Sequence, residues 1–304
     1  MRYAVLSDIH ANYQALQAVD EDVRHLRAQD LERKPAYWFL GDLIGYGPDP
    51  VGCVRWLKSS AQIDGRWVPG NHDEWLIRPS QVSEEAQASL GKHRQILARL
   101  EYAGLHEWFC QELNAAINEE SRSLVQEQYE QGTAVFTHAS VMKTLRRNTN
   151  LYPWKTYLLR EEFDRLQIEV GTEDRPTVLF CGHTHYPMWV RLREGKLWLE
   201  SIRYFDPLPL GEGLMIINPG SVGQPRDGDT RAGYAIFDPD NWTIEFRRVP
   251  YPVHESIALL YDQGYPESLA ERLLNANGRA ELQHYLTVYR RPQWDLEAIN
   301  QPEP

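Results

Sequence analysis

Tyr3-Ala4-Val5-Leu6-Ser7-Asp8-Ile9-His10 is an apolar run that ends in a carboxylate and an imidazole two residues apart. The run fits a buried strand. Side chains alternate along an extended chain, so Asp8 and His10 fall on the same side and can reach one ion. The pair alone is ambiguous. An Asp that closes a strand also serves as the cap of the following helix, which would leave His10 a solvated loop residue. Partners have to come from elsewhere in the chain.

Working outward, Leu16, Val19, Val23 and Leu26 recur at three- and four-residue spacing and predict a helix over residues 12–28. Residues 36–40 form a second apolar strand closing in Gly41-Asp42, followed by a loop rich in glycine and proline up to Pro50. A short helix is expected over 51–58, a short strand over 66–69, and then the loop Gly70-Asn71-His72-Asp73. Strands over 133–136 and 177–180 end at His138 and at Cys181-Gly182-His183-Thr184-His185. Between these lies a helical excursion over 83–118 that carries no chemical motif.

The second half reads as antiparallel: a hairpin of 188–193 and 197–202 about Glu194-Gly195-Lys196, then strands over 214–217, 232–237 and 242–249. Two or three helices are expected over 254–290, and the last residues read as a mobile tail. This divides the chain into a domain over 1–250 and a C-terminal helical extension over 251–304. The extension either packs on the domain or mediates homo-oligomerisation.

Composition narrows the class. With 304 residues and 42% hydrophobic content the chain can bury a large core. A formal charge of −11 disfavours broad binding to nucleic acid or to an anionic membrane, and no run reaches the roughly 18 apolar residues of a membrane helix. Three cysteines without close spacing give neither a disulfide framework nor a zinc knuckle, and together with the absence of a leader they suggest a cytoplasmic protein. Most of the many aromatic residues, Trp38 among them, read as core rather than as base-stacking platforms.

The residues at five strand ends, Asp8, His10, Asp42, Asn71, His72, His138, His183 and His185, make a mixed oxygen and imidazole set without thiolate. Such a set suits Mn²⁺, Fe or Zn²⁺, and it is large enough for two divalent metal ions. In open α/β sheets function gathers beyond the carboxyl ends of strands, where these residues would meet. Singly, Asp42 and Asn71 also fit turn chemistry, His138 fits a satisfied core histidine, and His183 with His185 fits a structural metal site.

Taken in order, Asp8-x-His10, Gly41-Asp42, Gly70-Asn71-His72-Asp73, His138 and Gly182-His183-Thr184-His185 resemble the calcineurin-like metallophosphoesterase family over residues 1–248. The stretch from Asn218 to Gly228 is similar to that of its small bacterial and archaeal phosphodiesterase branch. The resemblance implies an α/β fold of four layers (αββα), two mixed β-sheets flanked by helices. It assigns Asp8, His10, Asp42 and His185 to one metal and Asp42, Asn71, His138 and His183 to the other, with Asp42 bridging and Mn²⁺ favoured. Two such cations activate water and stabilise both groups of an in-line displacement on phosphorus.

His72, not counted as a ligand, is free to protonate the leaving alkoxide or to stabilise the charged phosphorane-like state, and Asp73 either orients its imidazole or caps the helix that follows. Protein phosphatases of this superfamily carry Gly-Asp-x-x-Asp-Arg-Gly, whereas here the stretch is Gly41-Asp42-Leu43-Ile44-Gly45-Tyr46-Gly47, without that Asp and Arg. Arg226, Tyr46 and Asn12 are the candidates for substrate contact, each also readable as a surface or turn residue. The excursion over 83–118 and residues 141–157, the latter with Arg146, Arg147, Tyr152 and Trp154, are placed as a lid that selects substrate.

The resulting reading is a dinuclear phosphodiesterase for small or nucleotide-like phosphate esters. A nucleotide or diadenosine polyphosphate phosphatase, a serine/threonine protein phosphatase, and a non-enzymatic metal-binding scaffold are the alternatives.

Overall fold

In the computed structural model, which describes residues 1–59, 66–78, 95–118, 124–141, 149–170, 175–276 and 294–295, the opening run is β1 (Arg2–Leu6). It pairs in parallel with β2 (Pro35–Phe39) and antiparallel with β10 (Ala232–Asp238). With β11 (Thr243–Val249) and β8 (Leu208–Pro209) these strands form a five-stranded sheet in the order β2-β1-β10-β11-β8.

A seven-stranded sheet faces it. Its core is the parallel set β4 (Thr133–Thr137), β5 (Thr177–Phe180) and β9 (Leu214–Asn218). On one side lies β3 (Leu124–Gln128), and on the other β6 (Met188–Arg193), β7 (Lys196–Leu199) and β12 (Trp294–Asp295).

Alternation along the strands builds the layers. Tyr3 and Val5 point into a core between the sheets with Phe136, Phe180, Ile217 and Phe237, while Ala4 and Leu6 point outward. Trp38 stacks on Phe136 across this interior at 3.9 Å and 4°, a core aromatic as expected. The outer face of the first sheet is covered by α1 (Tyr13–Gln29), α2 (Pro50–Ser59), α3 (Asn71–Ile77), the helix over 95–102 (α4) and α5 (His106–Asn118). The outer face of the second is covered by α6 (Thr156–Val170), which buries Leu159, Phe163 and Leu166 against Val135, Leu179 and Ile216. The expected four layers are therefore present.

Several expectations need correction. The short strand expected over 66–69 reduces to a single bridge from Phe39 to Trp67. Neither α6 nor β3 was anticipated. The stripe of α6 contains a buried Glu162, and β3 is an edge strand with both faces partly wet.

Of the C-terminal helices, α7 (Val253–Asp262) and α8 (Glu267–Asn275) are described and pack on the domain: Ser256 Oγ donates to Asn12 Oδ1 at 2.9 Å. Residues 83–94 of the expected excursion, 142–148 of the expected lid and the terminal tail lie outside the described residues. Tyr152 and Trp154 of the lid stack at 4.5 Å, and Trp154 meets Tyr186, the neighbour of His185, edge-on at 5.9 Å.

Among the described residues no helix is long and apolar enough to cross a membrane.

Candidate metal centre

Because β1, β2, β4 and β5 run in the same sense within their sheets, the loops after them meet at one edge of the sandwich. Backbone hydrogen bonds knit those loops together: Asp8 N–H to Gly41 O (3.0 Å), His10 N–H to Asp42 O (2.9 Å) and Gly182 N–H to His138 O (2.7 Å). Asp8, His10, Asp42, His183 and His185 all adopt left-handed backbone conformations, with φ between 48° and 64°. Each costs a non-glycine residue about 1 kcal/mol or more, a strain that persists where the surroundings over-determine it.

All seven residues expected as ligands come together. Three sets of facing donor atoms lie within 4.8 Å of one another: Asp8, His10 and His185; His10, Asp42 and His72; Asp42, His138 and His183. Asn71 Oδ1 lies 3.2 Å from His138 Nε2. Asp42 belongs to both ends of the cluster, its Oδ2 being 3.5 Å from His10 Nε2 and 3.5 Å from His138 Nε2.

The orientation of the rings is decided from behind. His10 Nδ1 donates to Ile44 O (3.1 Å), His138 Nδ1 to Leu40 O (2.6 Å) and His185 Nδ1 to Gln224 O (2.7 Å). A carbonyl can only accept, so each Nδ1 carries the hydrogen, and the neutral rings of His10 and His185 turn an Nε2 lone pair inward. His10 Nε2 and His185 Nε2 face each other at 3.0 Å. Two lone pairs held that close repel unless a cation lies between them.

The carboxylates agree. Asp8 Oδ2 accepts from Ser7 Oγ (2.7 Å) and His183 N (3.0 Å), whereas the buried Asp8 Oδ1 has no hydrogen-bond partner among the described residues. It lies 3.4 Å from His185 Nε2 and 3.8 Å from His10 Nε2. An unsatisfied buried carboxylate oxygen among imidazole lone pairs fits a divalent cation, and the donor chemistry fits Mn²⁺, Fe or Zn²⁺.

Burial holds His10 down to about 4 and, with His138, takes His183 down to about 3; it also keeps His185 well below its ordinary value. These rings are neutral and ligand-competent at pH 7. Burial pushes the Asp8 carboxyl up to about 7 against the pull of His138. At Asp42 the burial penalty is outweighed by His138 and His72, which hold the carboxyl well below the usual range; the same Asp42 overcomes burial at His138 and raises it to about 9. Two carboxylates buried side by side draw positive charge into the cluster.

His72 sits at the rim of this group. Its N–H donates to Asp42 Oδ1 (2.8 Å), and its ring stands edge-on to His10 at 4.9 Å, between Tyr46 (4.4 Å) and Trp75 (4.5 Å). Two glycines make room here. A Cβ on Gly45 would come 2.5 Å from His72 Nδ1, and one on Gly70 would come 2.1 Å from Asp42 Oδ1.

Asp73 corrects the orienting role. Its Oδ2 accepts from Asp42 N (2.8 Å) and Gly70 N (3.0 Å), and its Oδ1 from Leu43 N (3.0 Å) and Ile44 N (3.3 Å). It caps α3 and fastens the Asp42 loop to it, and the His72 ring gets its orientation from Gly45, Tyr46 and Trp75.

Asn12 is also spent internally: Nδ2 donates to Gly223 O (2.8 Å) and Tyr251 Oη (3.2 Å), and Oδ1 accepts from Ala15 N and Ser256 Oγ. Tyr46 and Arg226 face the cluster from outside, Arg226 Cζ lying 6.0 Å from the Tyr46 ring. Sequence reasoning missed Ser7, Gly45 and Glu162. Glu162 accepts from Ser140 Oγ (2.6 Å) and Val141 N (2.5 Å), pinning the loop that carries His138. A glutamate inside an apolar helical stripe was the available signal.

Comparison with known proteins agrees with this geometry. Residues 1–241 match the calcineurin-like phosphoesterase superfamily domain. The chain is 30% identical over 274 residues to uncharacterized protein MJ0912 of Methanocaldococcus jannaschii, covering 89% of this chain and 96% of that one. It superposes on the crystal structure of a metallophosphoesterase from Sphaerobacter thermophilus with a TM-score of 0.66 at 31% identity, covering 91% of this chain and 100% of that one. A shorter stretch of 76 residues, 24% of each chain, is 37% identical to the symmetrical bis(5'-nucleosyl)-tetraphosphatase of Psychromonas ingrahamii. Matched over most of its length, with oxygen and imidazole donors gathered at the strand ends, the chain belongs to the calcineurin-like phosphoesterase superfamily of metal-dependent phosphoester hydrolases.

Proposed function

We propose that the chain is a phosphodiesterase for small or nucleotide-like esters that works with two divalent cations, Mn²⁺ preferred. One observation carries the reading: imidazole Nε2 atoms, turned inward by carbonyl hydrogen bonds, surround an Asp8 oxygen that has no hydrogen-bond partner among the described residues. Asp8, His10, Asp42 and His185 hold one ion; Asp42, Asn71, His138 and His183 hold the other. When bound, the pair supplies a water nucleophile at neutral pH and neutralises phosphoryl charge in an in-line displacement.

The chain's own residues supply the rest. His72 stands beside the cluster with its ring packed by Tyr46 and Trp75, and it gives a proton to the leaving alkoxide. Arg226, partly exposed at the rim, takes a phosphoryl oxygen pair with its guanidinium. Tyr46 fills the place where protein phosphatases of the superfamily carry arginine, which favours a small ester over a phosphoprotein. Asp73 and Asn12 act as supports for the metal loops.

A second reading, hydrolysis of a dinucleoside polyphosphate, is favoured by the 76-residue likeness to a bis(5'-nucleosyl)-tetraphosphatase. Three free thiols, Cys53, Cys110 and Cys181, suit a reducing cytoplasm.

Protein stripped of metal and reconstituted with Mn²⁺ tests the proposal against bis(p-nitrophenyl) phosphate, p-nitrophenyl phosphate and a dinucleoside tetraphosphate. Faster turnover of the diester than the monoester is expected. A folded, metal-loaded protein that cleaves none of the three would overturn the reading in favour of a metal-binding scaffold.

A further inference from the structure

The C-terminal helices reach the rim of the metal cluster. A small cavity beside His10 is lined by Tyr46 and Gly47 on one side and by Leu260 of α7 and Leu269 and Leu273 of α8 on the other. From the same helix the exposed Arg272 extends over the Tyr46 ring, its Cζ 5.7 Å from the centroid. Arg226 lies 6.0 Å from that ring. Tyr46 in turn lies 4.4 Å from His72 and 4.6 Å from His10. Two guanidiniums thus lie against one aromatic ring beside the reacting centre.

Their charges are uncommitted. Arg99, Arg231, Arg247 and Arg248 each pair with a carboxylate. Among the described residues neither Arg226 nor Arg272 does, and the polar contact of Arg226 is a neutral one, to Gln224 Oε1 at 3.1 Å. In a chain of net charge −11, two arginines without carboxylate partners among the described residues, both within cation–π range of one tyrosine, offer a local cationic receptor for an anion.

We infer that Arg272, over the Tyr46 ring, forms a second phosphate subsite beside the phosphoryl group that Arg226 holds, so that the substrate carries a further anionic phosphoryl group beyond the one that reacts. The inference rests on the phosphoesterase reading and deepens it. The C-terminal helices then belong to the substrate-binding surface and select for esters that carry a second phosphoryl group. Arg272 is a specificity-determining residue, one ring removed from the general acid.

The test is calorimetric titration of pyrophosphate and of orthophosphate into Mn²⁺-loaded wild type, Arg272→Ala and Arg272→Lys, all at one buffered free Mn²⁺ concentration. Chelation by the ligand is then the same for all three proteins and cancels from their ratios. Wild type is expected to prefer pyrophosphate. Arg272→Ala is expected to weaken pyrophosphate about tenfold more than orthophosphate, and Arg272→Lys to restore part of the difference.

A wild type without preference for pyrophosphate, or an Arg272→Ala variant that keeps it, overturns the subsite. The exposed position of Arg272 keeps the substitution from unfolding the chain, and a circular dichroism spectrum checks this. Failure of the phosphoesterase reading would appear separately, as loss of all turnover on the diester panel while binding can still be measured.

Discussion

Gly45→Ala probes the general acid without touching a metal ligand. Gly45 has φ +92°, and a Cβ there would stand 2.5 Å from His72 Nδ1 and 3.1 Å from its Cγ. Ordinary carbon contacts need about 3.5 Å, so the imidazole must retreat by about 1 Å. Trp75 and Tyr46 pack the ring, and Asp42 holds the His72 N–H, so the ring cannot simply slide away. The backbone cost adds about 1 to 2 kcal/mol at a conformation that L-residues avoid.

A displacement of about 1 Å in a catalytic group lowers turnover by about 100-fold. The loss falls on esters whose alkoxide must be protonated as it leaves; for p-nitrophenyl esters, whose leaving group is stable as an anion, it should be nearer tenfold. The assay is kcat on an alkyl and an aryl diester, with metal content measured in parallel and expected to stay unchanged. Equal losses on both esters, or full activity on the alkyl ester, would refute the general-acid role of His72 and the account of how Gly45 places it.

Asp73→Asn keeps an acceptor for two of the four backbone N–H groups and places an amide donor against the other two. We expect a loss of about 2 to 4 kcal/mol in stability by denaturant titration, larger than an ordinary helix cap is worth. A second perturbation reads pH. Burial raises Glu162 from 4.5 to about 7, so below pH 4.5 both folded and unfolded states are protonated, between these values only the folded state keeps the proton, and stability falls as pH rises through 7. Glu162→Gln cannot ionise. Wild type should lose up to about 3 kcal/mol relative to the variant between pH 5 and pH 8, and a stability difference that stays constant over that range would contradict the buried-carboxyl assignment. Removing metal with EDTA should lower the Tm by about 5 °C or more, because Asp8 Oδ1 and the facing imidazoles then lose their shared cation.

The parts of this protein that were legible in its sequence are those where chemistry and backbone coincide. Asp42, His138, His183 and His185 each follow a short apolar strand, so an extended run ending in polar residues marked strand and candidate ligand together, whereas Asn71 opens α3 after a single bridge at Trp67. The supports were less legible because their role depends on distant backbone. Asp73 looks alike in sequence whether it turns toward His72 or toward the four amides it accepts from. Glu162 disguises α6, since a charged residue at a buried position breaks the apolar stripe by which a helix is recognised. β3 has the composition Leu-Val-Gln-Glu-Gln and partly exposed faces, which gives no alternation to detect. Arg272 lies 226 positions from the tyrosine it covers, and nothing in its surroundings in the chain distinguishes it from a solvated helical arginine.

Two ions are expected to share Asp42. Its Oδ2 is equidistant from His10 and His138, and its Oδ1 accepts the His72 amide, so an Asn there would keep Oδ1 as acceptor and turn its NH₂ toward both cations. Mn²⁺ titration of metal-free wild type and Asp42→Asn, followed by calorimetry and by elemental analysis of the gel-filtered protein, measures this directly. Wild type should retain two ions per chain, and the variant should lose affinity for both together. A variant that releases one ion while holding the other with unchanged affinity, or a wild type that saturates at a single ion, would contradict the account.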